Sequence, residues 1–167
     1  MSDVLMIRTA DLEDINAIGY LAYQVWPTAY KDILTFEQLY YQLQHFYSPA
    51  SLKDQMVTKH HNFLLAETED DEPVGFASYS EVEKGIFRLH KLYVLPVTQG
   101  RNVGRSLLEV VEDECRTAGG KKLLVNVNRY NKAKMFYERM GFIVTGEEDI
   151  DIGDGFLHED YALEKSL

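Results

Sequence analysis

Three runs of sequence between residues 90 and 142 indicate how this chain folds. They are HKLYVLP (90–96), QGRNVGR (99–105) and NKAKMFYERMGF (131–142). The first run is rich in β-forming residues and stops at a proline, which predicts a buried strand followed by a turn. The second run leads into an apolar helical repeat, and the third carries helical spacing of its own. A strand, a short loop and a helix therefore follow one another, with a second helix some 30 residues later.

The loop at 99–105 has the features of an anion site. Backbone N–H groups at the start of a helix lack partners within it and carry partial positive charge, which suits a pyrophosphate. Gly100 and Gly104 permit close approach of the backbone to a ligand, and Arg101 and Arg105 can screen its charge. A plain strand-to-helix turn accounts for the loop equally well when it is considered alone.

The segment 131–142 predicts a helix with one apolar face, because its apolar residues recur at i, i+3, i+4 and i+7. Asn131 is suited to cap its start and Gly141 to follow its end. An ordinary core helix, with Tyr137 packed inside, explains these residues. It does not explain why they occur together with the loop motif at this distance.

Together the two motifs resemble the GNAT acetyltransferase superfamily, in which Gln/Arg-x-x-Gly-x-Gly/Ala binds the pyrophosphate of acetyl-CoA. The resemblance implies an α/β fold over residues 1–167 as one domain, with a mixed sheet of about seven strands and helices on both faces. It implies acetyl-CoA as cosubstrate and no metal. The implied cofactor-binding residues are Leu92, Tyr93, Val94, Gln99, Gly100, Arg101, Asn102, Val103, Gly104, Arg105, Asn131 and Lys134.

One position departs from the family motif: Asn102 stands where the family has glycine. Asparagine is the non-glycine residue that best tolerates a positive φ, so we expect the loop to keep its shape. The strand at 91–94 is expected to pair with the pantetheine arm through backbone groups, which requires that a neighbouring strand diverge. An ordinary buried strand fits the same residues.

The resemblance implies that Tyr137 is the general acid that protonates the departing CoA thiolate. The general base is open, since Arg88 occupies the position where many family members carry glutamate, and arginine cannot act as a base. His90 on the same strand titrates in the useful range, and Glu81 or Glu83 on the preceding strand are alternatives. A histidine satisfied in the core or by solvent explains His90 without catalysis.

Periodicity along the whole chain predicts one strand, three helices, three strands and then α-β-α-β-β. Pro27 is expected to interrupt the first helix. Cys115 shares a predicted helix face with leucine and valine, which favours a core thiol, and a lone cysteine provides no metal-ligand spacing.

Composition limits the classes of partner. With 17 basic and 27 acidic residues the net charge is −10, which argues against nucleic acid and would attract a cationic substrate. The chain shows neither a signal-peptide pattern nor an apolar run long enough for a membrane, so we expect a cytoplasmic protein that makes no contact with a membrane. Its oligomeric state is open, with a homodimer as one alternative.

The acceptor is expected to be a small cationic or polyamine-like primary amine. Seven acids lie between Glu147 and Asp160 without an intervening Lys or Arg, and the ending resembles PaiA-type polyamine N-acetyltransferases. A solvated hairpin accounts for those acids as well. Aromatics at 25–34, with Asp32, are a second candidate for holding a cation. Acetylation of a protein or peptide, and a non-catalytic acyl-CoA-binding module, are the alternative functions.

Overall fold

The computed structural model describes residues 5–98 and 101–167. Within them, strands and helices follow the predicted order. The strands are β1 Met6–Thr9, β2 Asn62–Glu67, β3 Pro73–Glu83, β4 Ile86–Val94, β5 Lys122–Asn128, β6 Ile143–Gly153 and β7 Phe156–Ser166. The helices are α1 Ile15–Ala29, α2 Phe36–Tyr47, α3 Pro49–Val57, α4 Val103–Thr117 and α5 Ala133–Arg139.

The strands form one mixed sheet in the order β1-β2-β3-β4-β5-β7-β6. Neighbours are antiparallel except β4 and β5, which are parallel and are connected by the crossover helix α4. Those two strands pair only over residues 86–89 and 122–125, although both continue further. The sheet therefore opens between β4 and β5 at their carboxyl ends.

Helices cover both faces of the sheet, as the resemblance implied. On one face α4 packs Leu107, Leu108 and Val111 into a core cluster, and on the other α1 does so with Ile18 and Leu21. Each helix buries the apolar stripe that its sequence spacing predicts.

Cys115 lies fully buried in the α4 core, as its spacing predicted. Burial raises the pKa of its thiol to about 12. The thiol is therefore protonated at neutral pH and acts as a small apolar core group.

The expectation that Pro27 interrupts the first helix is wrong, because α1 continues through it to Ala29. Proline removes one N–H, and the carbonyl that loses it belongs to Tyr23, which is exposed enough for water to replace the bond. The neighbouring Trp26 is buried, and its carbonyl accepts the N–H of Tyr30 at 3.0 Å. Packing of this last turn holds the helix together.

Asn102 immediately precedes α4 with φ 60° and ψ 26°, the left-handed conformation that the sequence predicted it can adopt. Its carbonyl accepts the N–H of Ser106 at 2.9 Å, which begins the helix. Of the helices in the described ranges, none has the length and apolar character to span a bilayer.

Candidate active site

The opening between β4 and β5 forms a small cavity of about 60 Å³. Its walls come from both diverging strands, from the residue that follows α1, and from α5 with the segment before it. The lining residues are Tyr30, Leu89, His90, Lys91, Leu92, Tyr93, Val125, Asn126, Val127, Asn128, Asn131, Ala133 and Tyr137. Strand edges that do not pair with each other leave N–H and C=O groups available to a ligand.

A β-bulge in β4 lies at this opening. Ser78 pairs with Lys91 and Tyr79 with Leu89, so His90 is an extra residue without a partner on β3. The bulge resets the alternation of side chains. His90 and Lys91 consequently both line the cavities on the α1 side of the sheet, although they are adjacent in sequence.

A larger cleft of about 350 Å³ adjoins the opening beneath α1, α2 and α3. Aromatic rings and histidines dominate its walls. It is lined by Trp26, Tyr30, Leu34, Gln42, His45, Phe46, Tyr47, Ser51, Gln55, Lys59, His61, His90, Lys91, Tyr93, Asn126, Asn128, His158 and Asp160. Six residues line both spaces and join them into one site, namely Tyr30, His90, Lys91, Tyr93, Asn126 and Asn128.

Tyrosines from distant parts of the chain meet where the two spaces join. The hydroxyls of Tyr30 and Tyr93 are 2.9 Å apart in a hydrogen bond. Tyr137 of α5 is only 6% exposed and lines the smaller cavity. Burial, together with the nearby Tyr30, raises the pKa of the Tyr137 hydroxyl well above its usual range. Tyr137 therefore retains its proton at neutral pH.

His90 is held firmly as a neutral ring. Its Nε2 lies 2.7 Å from the Ser80 hydroxyl, and it stacks on His61 with ring centroids 3.8 Å apart. Burial lowers the pKa of His90 to about 3 and that of His61 to about 4, with the nearby cationic side chains adding to both shifts. A base is most effective when its pKa lies near the working pH, so this environment makes His90 a weak base.

Asp160 is the one acidic side chain among the described residues that line either space. It is 7% exposed, and burial raises the pKa of its carboxyl group. The Asn126 side chain donates to it at 3.4 Å and accepts from Arg88 at 3.0 Å. An amide thus connects the buried carboxylate with a guanidinium.

The other six acids of the 147–160 run do not line the cleft. Those on β6 are exposed, and Asp149 pairs with Arg129 at 2.8 Å. A basic residue from outside the run therefore offsets part of its charge, because Arg129 reaches it from the loop after β5. Of the acids that the sequence suggested for an acceptor pocket, Asp160 is therefore the one that lines the cleft.

The residues predicted to bind the pantetheine arm occupy different positions around the opening. Leu92 and Tyr93 line the smaller cavity, whereas Val94 lies outside it, against α4 near Gly104. Asn131 lines the cavity, and its side chain accepts the N–H of Ala133 at 2.9 Å at the start of α5. Lys134 lies beside Glu138 at 3.8 Å and above the ring of Tyr161, outside both cavities.

The residues predicted to hold a pyrophosphate gather at the start of α4. Val103 is buried in the core, so only its backbone can face a ligand, and Arg105 is exposed beside Glu109. Arg101 is also exposed. Gln99 and Gly100 lie outside the described residues.

The structure does not bring three predicted acids into the site. Glu83 is exposed beside the β3–β4 turn and lines neither space. Glu81 accepts the N–H of Gly85 at 3.0 Å in the same turn. Asp32 is exposed, although Trp26, Tyr30 and Leu34 from its segment do line the cleft. The alternation of apolar and polar residues along β3 predicts a strand, but it does not show that the polar end of this strand extends beyond the site.

Sequence reasoning missed the inward role of Lys91. Its ammonium lies 5.4 Å from the ring centroid of Tyr47 and 5.9 Å from that of Phe63, and burial lowers its pKa to about 8. Strict alternation would place Lys91 on the opposite face from His90, and no local signal marks the bulge. Asn126 and Asn128, alternating with valines on β5, were a signal that could have been used.

The fold and this site define the class of protein. The chain matches the family model described as "Acetyltransferase (GNAT) domain" over residues 32–165. It therefore belongs to the GNAT acetyltransferase family, which confirms the resemblance seen in the sequence.

Particular proteins are similar to this chain in structure or in sequence. The crystal structure of a PaiA N-acetyltransferase from Thermoplasma acidophilum, in complex with coenzyme A, has TM-score 0.83 and 26% identity and covers 100% of both chains. A spermidine N(1)-acetyltransferase of the same organism is 25% identical over 93% of this chain and 96% of its own length. A peptidyl-lysine N-acetyltransferase, YjaB, from Salmonella typhimurium is 36% identical over 52% of this chain and 54% of its own.

Proposed function

We propose that this protein transfers the acetyl group of acetyl-CoA to a small primary amine bound in the aromatic cleft. The observation that carries the proposal is the opening between β4 and β5, which joins the acceptor cleft at Tyr30 and Tyr93. A ligand entering along the diverging strands would meet one entering from the helical side. Such a meeting point is what a direct transfer between two substrates requires.

Acetyl-CoA fits the residues around the opening. The start of α4 offers backbone N–H groups for the pyrophosphate, with Arg101 and Arg105 near it. Beyond residue 89 the edge of β4 does not pair with β5, so its backbone groups can bind the amides of the pantetheine arm. The bound thioester supplies the activated acetyl group. Lys134 would contribute at the periphery, since its ammonium already lies beside Glu138.

Tyr137 is the proton donor in this proposal. A raised pKa keeps its hydroxyl protonated, and the hydroxyl can protonate the thiolate that leaves when the amine attacks the thioester carbonyl. Backbone N–H groups near Leu92 and Val94 would hold the oxygen that becomes negative during the attack.

Asp160 takes the place of His90 and Glu83 as the proposed base. The carboxylate lies in the cleft on β7, directly across from Asn128, which lines both spaces. It can hold the substrate ammonium and then accept its proton, directly or through a water molecule. The pKa of Asp160 is raised by burial, which brings it closer to that of an effective base.

Two observations support a polyamine-like acceptor. A spermidine acetyltransferase is among the relatives, and Asp160 with aromatic walls suits an ammonium group. Because six of the seven acids lie outside the cleft, the geometry does not supply a binding group for each charge of a polyamine. The acceptor in this proposal is therefore a primary amine, and the cleft does not require it to carry a second cationic group.

Gly104 tests where the cofactor binds. A Cβ added there would meet Val94 and Phe136 at 3.7 and 3.8 Å, which is ordinary contact, so alanine fits the free protein and valine adds modest crowding. We expect Gly104→Val to weaken acetyl-CoA binding at least tenfold, about 1.4 kcal/mol, and Gly104→Ala to weaken it less. Isothermal titration calorimetry on the folded variants measures both.

Gly146 provides the matched control, since a Cβ at that position has no neighbour within 4 Å and β6 lies far along the sheet from α4. Gly146→Val should leave the affinity for acetyl-CoA unchanged. Unchanged affinity in a folded Gly104→Val protein would place the pyrophosphate elsewhere.

The function is tested by release of the CoA thiol from acetyl-CoA in the presence of a panel of polyamines, amino acids, aminoglycosides and lysine peptides. We expect steady turnover with at least one small amine and formation of its N-acetyl product by mass spectrometry. Turnover with peptides alone would assign a protein substrate. Tight acetyl-CoA binding without turnover on any amine would indicate a binding module.

A further inference from the structure

We infer that the acceptor carries a carboxylate as well as its amine, and that the Lys91 end of the cleft binds that carboxylate. The inference rests on the acetyltransferase function proposed above and specifies the substrate class for the same site. It follows from the distribution of charge within the cleft, which differs from that of the whole chain.

The cleft has a cationic end. Lys91 lies in its interior and Lys59 at its exposed rim, on the side formed by α3, β4 and the residue before β2. The ammonium of Lys91 lies over the rings of Tyr47 and Phe63, and within the described residues no carboxylate lies within 4 Å of it. A charge removed from water in this way is strongly stabilised by an anionic partner.

A second group at the same end points to an anion. His61 lines the cleft beside Lys59, and its Nδ1 is buried without a hydrogen-bond partner in the described part of the chain. Buried polar atoms are nearly always paired, so this atom can gain a partner only when a ligand binds in the cleft and the side chains around His61 shift. In the tautomer with hydrogen on Nδ1, a carboxylate oxygen can accept that proton.

The opposite end of the cleft suits the amine. Asp160 on β7 is separated from Lys91 on β4 by the strand β5. Because β4 and β5 diverge beyond residue 89, the two strands lie further apart at Lys91 than the roughly 10 Å of two regular strand spacings. The Lys91 ammonium lies toward Phe63 on β2, on the side of β4 away from Asp160. An acceptor with an ammonium at one end and a carboxylate at the other matches both charges, whereas a polyamine would bring additional cations toward Lys91 and Lys59.

Matched pairs of acceptors test this directly in the wild-type enzyme. 6-Aminohexanoate is compared with 6-aminohexanamide, and 8-aminooctanoate with 8-aminooctanamide, using kcat/KM from thiol release. In at least one pair the acid should exceed the amide at least tenfold.

Lys91→Met tests the residue, since methionine retains an unbranched apolar side chain against Tyr47 and Phe63 but lacks the charge. The ratio of kcat/KM for the acid to kcat/KM for the amide should fall toward one. Lys53→Met is the matched control, because Lys53 is exposed on α3 and does not line the cleft, and its ratio should stay at the wild-type value. If Lys91→Met does not fold, the comparison of acid and amide with the wild-type enzyme still tests the inference.

Three results would overturn the inference. The first is a kcat/KM for the amide that equals or exceeds that for the acid in both pairs. The second is an unchanged acid-to-amide ratio of kcat/KM in folded Lys91→Met. The third is a higher kcat/KM for spermidine or a lysine peptide than for either acid. Each of these would leave the acetyltransferase assignment intact. Absence of thiol release with every amine would instead reject the proposed function, and this inference with it.

Discussion

Tyr137→Phe is expected to lower turnover by roughly 100-fold while acetyl-CoA affinity hardly changes. The substitution keeps the ring that packs against Phe136 and Phe142 and deletes only the hydroxyl in the smaller cavity. If that hydroxyl protonates the leaving thiolate, its loss slows the chemical step and leaves binding intact. Single-turnover kinetics with saturating acetyl-CoA measure the chemical step, and calorimetry measures the affinity.

Tyr130→Phe is the matched control for this experiment. Tyr130 precedes α5, is 64% exposed and lines neither cavity, so its turnover should equal that of the wild type. Near-normal chemistry in Tyr137→Phe would return Tyr137 to a packing role. Some other donor, such as the hydroxyl of Tyr30 in the same cavity, would then have to protonate the thiolate.

Acid should destabilise the fold through the stacked histidines. Burial holds the pKa of His61 at about 4 and that of His90 at about 3, whereas an unfolded histidine titrates near 6.5. Below pH 6.5 the unfolded chain binds protons that the folded chain does not, so the free energy of unfolding falls as pH decreases toward the folded values. Each pKa unit corresponds to about 1.4 kcal/mol, and we expect a combined loss of about 2–4 kcal/mol between pH 7 and pH 5.

Urea unfolding at the two pH values measures this loss. The double variant His61→Phe, His90→Phe should lose less stability on acidification, because neither ring remains to be protonated. His45→Gln replaces an exposed histidine at the rim of the cleft and should retain the wild-type pH dependence. An identical dependence in the double variant and the wild type would show that the stacked pair does not control acid stability.

Local signals in the sequence were sufficient for most of the fold. The order of strands and helices follows from alternation on strands and helical spacing elsewhere, and α4 and α5 bury the faces that their spacing predicted. Asn102 adopts the left-handed conformation because its own side chain tolerates it. These features depend on neighbours a few residues away, which a single sequence records.

Pro27 shows where local rules fail. Proline predicts a helix end from its missing N–H alone, yet α1 continues because Trp26 is anchored in the core and water can reach the carbonyl that loses its donor. Glu83 shows the complementary failure, since its place on β3 was predicted but its distance from the cleft was not. The sequence assigns a residue to a strand without saying how far that strand extends beyond its neighbours.

The functional site likewise has some features that the sequence determines and others that only the tertiary structure determines. The sequence by itself determined the strand-loop-helix order around residues 90–105, the helix that carries Tyr137 and the family to which they belong. Tertiary structure alone decided that β4 and β5 diverge, that the bulge at His90 turns Lys91 into the cleft, and that Asp160 is the acid that faces it. The physical reason is separation along the chain: Tyr30 bonds Tyr93 across 63 residues, and no local pattern encodes which distant groups will share a cavity.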